Sequence, residues 1–427
     1  MLHAHIPSVV EQPVCTSTNN HVEMQAKIRN FTPILQVLEL GIDLPDAFDI
    51  KGHIYEDQQE FEIKTYIPYI RTSGTNMENI EIALDNHNDQ LELSLSVLNH
   101  LPKDNPTAAK LGDIKAGIEL SAKNDALDLL VNLENTDKVR NEGTIHAASQ
   151  LSRNNDTVQL DIQILPTNFI LNDSSWNISE ANIRYVPAKK IMDVHNFALF
   201  TDYQSIAING RASVSDSDSL NVALHNINMD YLLSYTEANE AISIMGPATG
   251  EAHIYGLFSE PMLEAQAQIP NGGLNGVYLG DVTAEAKLDR ENKTILIDGQ
   301  IVDSTNHLVA QVAGKVIPRD KWWGLDIACD SVDLHFIDFW TNEIIANPQG
   351  RAYGHVKVEG QKQLVWVTGR ALAKNAQVTV PQIGTTFYLT DSIFLDSTAI
   401  QFPNITMYDQ YGNQGSFGRV LPLRPYV

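Results

Sequence analysis

Apolar and polar residues alternate along most of the chain. In residues 91–97, leucine and valine occupy every second position, and glutamate and serine fill the positions between them. Successive side chains of a β-strand point to opposite faces of its sheet, so a period of two indicates a strand with one buried face. The same pattern in 80–84, 158–164 and 220–224 predicts further strands.

Short runs of turn-forming residues separate the predicted strands. Asn, Asp, Gly and Ser cluster at 86–89, 215–218, 272–273 and 289–292. Strands recur about every ten residues without a helical crossover, which predicts an all-β fold with an antiparallel meander.

Only a few stretches have helical periodicity. They are residues 31–41, 228–240 and 334–344. Each is brief, so we expect short helices that plug or cap the β structure.

Related stretches start near Gly52, Gly143, Gly250 and Gly350, and two of them end in Ile-Pro. Such self-similarity predicts units that stack into an elongated, repetitive array. We therefore separate an N-terminal segment with a short helix, residues 1–51, from one continuous repetitive sheet, residues 52–427. With about 20–25 long strands spaced ~4.8 Å apart, the sheet would extend roughly 100–120 Å.

The composition excludes some partners. The chain has 29 basic and 53 acidic residues and a net charge of −24. Nucleic-acid binding depends on clustered Lys and Arg, so nucleic acid is not an expected partner. The two cysteines have no metal-binding spacing, and no run of ~18–20 apolar residues predicts a membrane span.

The chain carries no catalytic signature. HExxH, GxSxG, Walker and GxGxxG sequences are absent. The histidines are scattered, and His100, His195 and His225 are interpreted as structural. The acidic turn at 215–219 lacks the ligand spacing of an EF-hand. We predict a non-enzymatic protein with no catalytic residue, metal or cofactor.

The apolar face itself is the candidate site. A two-layer sandwich explains the alternation equally well, but one long curled sheet would present an aliphatic inner face suited to lipid acyl chains. On the parity of the strands, the residues predicted to line this face are Ile80, Ile82, Leu84, Leu91, Leu93, Leu95, Val97, Val158, Leu160, Ile162, Ile164, Leu220, Val222, Leu224, Ile295 and Ile297.

An alternative function is an extracellular β-sandwich array that acts as an adhesin or binds glycan or protein. An exposed aromatic platform would favour it. The residues that discriminate are the tryptophans at 176, 322, 323, 340 and 366.

Residues 176–235 and 246–301, followed by 350–420 with the turn sequence DQYGNQG, resemble the TamB-like proteins of the bacterial envelope, in particular the large Bacteroidetes type. The likeness extends over 170–420, and over 50–170 by pattern only. It rests on the order of several stretches and not on one motif.

The resemblance implies a β-taco, a U-shaped antiparallel sheet with a hydrophobic inside, as in AsmA-like and bridge-like lipid-transfer proteins. It also implies a periplasmic protein anchored in the inner membrane, which transports phospholipid to the outer membrane. In Proteobacteria the family is tied to outer-membrane protein assembly through a BamA-type barrel.

This sequence departs from the family at both ends. It lacks the N-terminal membrane helix, has no secretory signal, and stops just after Gly418, where relatives continue into a C-terminal domain. We therefore expect a fragment or truncated form, to which neither the anchor nor the barrel contact is assigned.

Overall fold

A computed structural model shows a protein in which strands make up 75% of the chain and helices 4%. The all-β prediction is confirmed. The structure describes residues 2–11, 19–31, 42–72, 76–86, 90–100, 113–135, 139–154, 157–229, 243–274, 276–337, 345–361, 364–396 and 399–422.

The chain divides into two compact units, Met1–Ser213 and Val214–Val427. The first unit starts with a short helix, α1 (Leu2–His5). Its strands are β1 (His21–Arg29), β2 (Ala47–Tyr55), β3 (Glu60–Arg71), β4 (Asn76–Asp85), β5 (Leu91–His100), β6 (Ile114–Lys123), β7 (Ala126–Asn135), β8 (Glu142–Asn154), β9 (Thr157–Ile164), β10 (Thr167–Leu171), β11 (Ser174–Ile178), β12 (Ala181–Val186), β13 (Ile191–Phe200) and β14 (Ser205–Ala212).

The second unit has the same plan. Its strands are β15 (Ser219–Asn228), β16 (Ile244–Met245), β17 (Pro247–Tyr255), β18 (Met262–Leu274), β19 (Val277–Asp289), β20 (Thr294–Val302), β21 (Leu308–Ile317), β22 (Trp322–Asp333), β23 (Ala346–Gln361), β24 (Leu364–Val380), β25 (Thr385–Asp396), β26 (Ala399–Asp409) and β27 (Gln414–Pro422). Single 3₁₀ turns occur at Pro187–Lys189 in the first unit and at Pro318–Asp320 and Leu334–Ile337 in the second.

In each unit the strands pair antiparallel with their neighbours in sequence, within a single sheet. Interrupted strands modify this order. The pieces β9 and β10 both pair with β8, β11 and β12 both pair with β13, and β16 and β17 both pair with β18. A sandwich would divide the strands between two sheets, so the observed pairing is that of a meander.

The turn predictions have mixed outcomes. Residues 290–293 form the turn between β19 and β20, and 215–218 also contain a turn. The turn predicted at Gly272 and Gly273 is wrong, because both residues lie inside β18. The predicted helices at 31–41 and 228–240 fall almost wholly outside the described residues. Of the one at 334–344, only the 3₁₀ turn is described.

β-bulges interrupt the strands within each unit. In the second unit the register shifts between Leu224 and Ile227, and between Ile269 and Gly272. It shifts again in the pairs β20–β21, β22–β23, β23–β24, β24–β25, β25–β26 and β26–β27. We call this row of irregularities the bulge line. The first unit has bulges at 78–81 in β4 and 194–197 in β13.

An asparagine occupies the left-handed conformation at most of these bulges. Asn79, Asn196, Asn226, Asn271, Asn347, Asn375 and Asn404 all have positive φ. Asparagine tolerates this region better than other non-glycine residues. At four of these bulges, the backbone N–H of the asparagine donates a hydrogen bond to a side-chain oxygen on the neighbouring strand. The pairs are Asn196 with Asn209 Oδ1 at 2.6 Å, Asn226 with Thr249 Oγ1 at 3.0 Å, Asn271 with Asp281 Oδ1 at 2.8 Å and Asn375 with Thr390 Oγ1 at 2.9 Å.

The most buried residues of the second unit flank its bulge line. The cluster consists of Val309, Ala310, Val332, Leu334, Ala352, Ala373, Ala376, Leu389 and Ile405. A bulge bends its strand, and side chains on the inside of a bend crowd together. Because these residues lie on one face, we expect the bulges to bend the sheet towards that face. Alanine recurs in the cluster, as expected where backbones close on each other.

Glycine also allows neighbouring strands to approach closely at the start of the repeated stretches. A Cβ on Gly250 would lie 2.1 Å from the Gln266 carbonyl oxygen, and one on Gly143 would lie 2.1 Å from Phe169 Cβ. Both positions are level with neighbouring bulges or strand breaks. The repeated glycines therefore mark sites of close strand approach.

The asparagine bulges predict a graded response at Asn375. Asn375→Gly keeps the left-handed backbone and should change the free energy of unfolding by less than about 1 kcal/mol. Asn375→Val should destabilise by about 1–2 kcal/mol, since β-branched residues are strained there. Urea unfolding of the two variants measures the difference. Equal stabilities would contradict a conformational role for this residue.

The close approach at Gly250 predicts a cost for a single methyl group. Gly250→Ala should destabilise the protein by about 1–3 kcal/mol, because the new Cβ meets strand backbone that cannot rotate away. Gly415→Ala is the matched control, since a Cβ at that strand position meets nothing within 4 Å. Thermal unfolding of both variants tests the prediction, and a loss of stability only in Gly415→Ala would contradict it.

Candidate functional site

The register of the first unit assembles one continuous apolar face. Directly paired residues of neighbouring strands lie on the same face of a sheet. One such row runs from β1 to β12 through Met24, Gly52, Ile63, Leu84, Leu93, Leu120, Leu129, Ala147, Ile164 and Ala181. Every member is apolar or glycine. We call this side the apolar face of the first unit.

The opposite side of the same strands is polar. The adjacent row there runs from β2 to β13 through His53, Glu62, Asp85, Glu92, Ser121, Asp128, Ala148, Gln163, Asn182 and His195. Charged pairs join neighbouring strands on this polar face. Arg184 Nε lies 2.8 Å from Asp161 Oδ1, and Arg211 Nε lies 2.6 Å from Asp193 Oδ1.

The second unit repeats the arrangement with smaller side chains. Its apolar row runs from β15 to β24 through Val222, Ala252, Ala265, Ala286, Ile297, Gly314, Leu325, Val358 and Val367. The row on its polar face contains Glu251, Gln266, Glu285, Asp298, Ala313, Asp326, Lys357 and Thr368. In both units, therefore, the two faces differ sharply in chemistry.

The residues predicted to line a groove all lie on these apolar faces. Residues 80, 82, 84, 91, 93, 95, 97, 158, 160, 162 and 164 share the face of the first unit, and 220, 222, 224, 295 and 297 share that of the second. Ile80, Leu220 and Ile295 are buried, and the others are half-buried. That they contact lipid remains a prediction.

Most side chains on the apolar faces are half-buried, so they keep part of their surface in contact with solvent. Neighbours on the same sheet cover each apolar side chain only in part. An aliphatic surface that is both continuous and accessible binds apolar chains without specific polar contacts.

The described tryptophans do not form an exposed platform. Trp176 is buried on the apolar face of the first unit, and Trp322, Trp323 and Trp366 are half-buried. The ring of Trp323 lies over Gly360, where a Cβ would meet it at 2.3 Å. Trp340 lies outside the described residues. Among the described side chains of the second unit, the exposed large aromatic ones are tyrosines, for which the sequence carries no distinguishing pattern.

Potential metal ligands do not cluster in the described part of the chain. No group of three or more His, Cys, Asp or Glu side chains is placed to hold a metal ion there. His100 contacts two carboxylates, with Nδ1 2.8 Å from Asp113 Oδ1 and Nε2 3.3 Å from Glu78 Oε2. The Asp113 hydrogen bond raises the pKa of this histidine, as expected for a structural ion pair.

No family model, curated protein or solved structure matches this chain. Among the described residues, no helix has the length and apolar character to cross a membrane.

Cys329 lies on the apolar face of the second unit. It pairs with Ala310 and packs against the cluster at the bulge line. Burial raises the pKa of its thiol, so less reactive thiolate forms at a given pH.

Alkylation rates test this environment. In a Cys15→Ser background, Cys329 should react with iodoacetamide at pH 8 at least about tenfold more slowly than an exposed thiol, because burial depresses its thiolate fraction. The control is Gln311→Cys on the polar face of β21, combined with Cys15→Ser and Cys329→Ser. Equal rates would show that the Cys329 side of the sheet is as open to solvent as the polar face.

Proposed function

We propose that this protein is a non-enzymatic hydrophobic conduit that binds phospholipid acyl chains and carries phospholipid across the bacterial periplasm between the inner and outer membranes. The observation that supports it is the apolar row of each unit, which continues over many strands while remaining accessible. Acyl chains would lie against these rows, and the polar head groups would stay in solvent.

The energetics of such binding follow from burial alone. Each acyl methylene removed from water contributes about 0.8 kcal/mol. Ten methylenes on an aliphatic face would contribute about 8 kcal/mol before the cost of ordering the chain is subtracted. No catalytic group, metal or cofactor is required for this process.

The cellular setting of the proposal depends on the resemblance to TamB-like proteins. In that setting the complete protein would be anchored in the inner membrane. A contribution to outer-membrane protein assembly, through a BamA-type barrel partner, belongs to the same proposal. Neither apolar row depends on these assignments, so lipid binding can be tested separately.

Paired substitutions on the two faces test lipid binding. The variant Leu93→Asp/Leu160→Asp places charges on the apolar face of β5 and β9. The control Ser94→Asp/Ser152→Asp adds the same charge to the polar face of β5 and β8. After purification from a bacterial envelope, mass spectrometry should find at least about tenfold less phospholipid on the first variant, because burying a carboxylate against acyl chains is costly.

A crosslinking measurement keeps this test decisive if the charged variant fails to fold. Benzoylphenylalanine at Leu95 should crosslink to phospholipid, whereas the same group at Ser96, on the opposite face of β5, should not. Absence of phospholipid from the unmodified protein, or equal crosslinking from both positions, would refute the proposal.

A further inference from the structure

The polar face of the last five strands contains a row without charge. Direct pairing joins Gln349 of β23 to Gln377 of β24, then to Tyr388 of β25, Tyr408 of β26 and Gln414 of β27. We call these five residues the neutral row. Gln349 lies within the bulge line, and the other four lie between the bulge line and the turns that end the strands. The buried residues that flank the bulge line, which we call the bulge cluster, occupy the opposite face. Leu389 is one of them.

The positions beside the neutral row carry hydroxyl groups on β24 to β27, whereas the next pair on β23 and β24 is Arg351 and Lys374. Thr379 pairs with Thr386, and their hydroxyls are 3.0 Å apart. On the other side of the row, Thr406 pairs with Ser416, and Thr390 accepts the backbone N–H of Asn375. In a chain with a net charge of −24, the neutrality of the row contrasts with the charged residues elsewhere on the same face.

The two tyrosines supply accessible aromatic surface. Tyr388 is 44% exposed and Tyr408 is 45% exposed. As a directly opposed pair, their Cβ atoms lie about 5 Å apart. Tyr411, in the adjoining turn, is 80% exposed. Aromatic rings flanked by amides and hydroxyls, with charge depleted, are typical of recognition surfaces.

The size of the surface restricts its occupant. Five strands at about 4.8 Å and four residue steps at about 3.4 Å give roughly 24 Å by 14 Å, or about 340 Å². A stable protein interface buries about 800 Å² per partner. A second copy of the chain, which is itself strongly acidic, therefore finds too little neutral surface here. An extended oligosaccharide fits, since the strand spacing is close to the length of one pyranose unit.

We propose that the neutral row binds a neutral oligosaccharide that lies across the strands. The apolar C–H faces of two sugar rings stack on Tyr388 and Tyr408, and the amides of Gln349, Gln377 and Gln414 hydrogen-bond the sugar hydroxyls. An acidic glycan is disfavoured by the charge of the chain. Because this surface is on the polar face, glycan binding does not depend on the proposed binding of acyl chains to the apolar face.

Titration calorimetry with defined hexasaccharides tests the proposal. The neutral probes are cellohexaose, chitohexaose and mannohexaose, and the charged comparison is a hexauronate. We expect the full chain to bind at least one neutral probe with a Kd below about 1 mM and to bind the hexauronate at least about tenfold more weakly.

Substitutions then locate the site. Tyr388→Ala and Tyr408→Ala should each weaken binding at least about tenfold, whereas Tyr388→Phe, which keeps the stacking ring, should stay within about threefold. Tyr278→Ala is the control, since Tyr278 is an exposed tyrosine on β19 outside the row.

Three results would overturn the assignment: no neutral hexasaccharide binds at millimolar concentration, the hexauronate binds as well as the neutral probes, or Tyr388→Ala and Tyr408→Ala bind like the unmodified chain. Analytical ultracentrifugation examines the competing occupant. A dimer that Tyr408→Ala dissociates would identify the row as a self-association surface and would also refute glycan binding.

Discussion

The sheet depends on keeping its apolar residues on one face across every bulge. An extra residue in a strand moves all the following side chains to the opposite face. The chain compensates by shifting its apolar pattern at the same point. In β13 the apolar-face residues Val194 and Phe197 are three positions apart instead of two, and in β24 Ala373 and Ala376 have the same spacing. The bulge and the phase shift cancel, so the apolar face continues without interruption.

The same arrangement explains how a chain with so much accessible apolar surface holds together. A single sheet cannot bury its apolar face against a second layer, so ladder hydrogen bonds and cross-strand contacts must contribute most of its stability. A tightly buried cluster lies at the bulge line, where alanines such as Ala352 and Ala373 permit close packing. A few aliphatic residues elsewhere, such as Leu220 and Ile295, are also buried, and most of the others remain half-buried.

Much of this fold could be predicted from the sequence because strand parity is a local property. Residues 91–97 specify their own faces, and antiparallel pairing with neighbouring strands of the same kind preserves them. The bulges were not predicted, although the sequence carries a signal. An apolar residue, any residue, Asn and a second apolar residue or Gly recur as MENI, VHNF, LHNI, IPNG and AKNA. The prediction at Gly272 failed because this glycine belongs to such a bulge and not to a turn.

The neutral row could not be found by the same reasoning. Its members are separated by turns and strands, and only the register places Gln377 beside Tyr388 and Tyr388 beside Tyr408. Within any one strand, a single tyrosine or glutamine among polar neighbours carries no distinguishing pattern.

Successive side chains of a strand point to opposite faces, and this alternation separates the neutral row chemically from the apolar face. Tyr388 and Leu389 are adjacent in sequence, yet the first points away from the bulge cluster and the second belongs to it. A substitution at one position leaves the surface chemistry of the other face unchanged, since neighbouring strand residues do not share a face. A single sheet with two open faces can therefore acquire a polar recognition surface without altering the apolar one. A two-layer sandwich has only its outer faces available for such a change, because its inner faces are packed against each other.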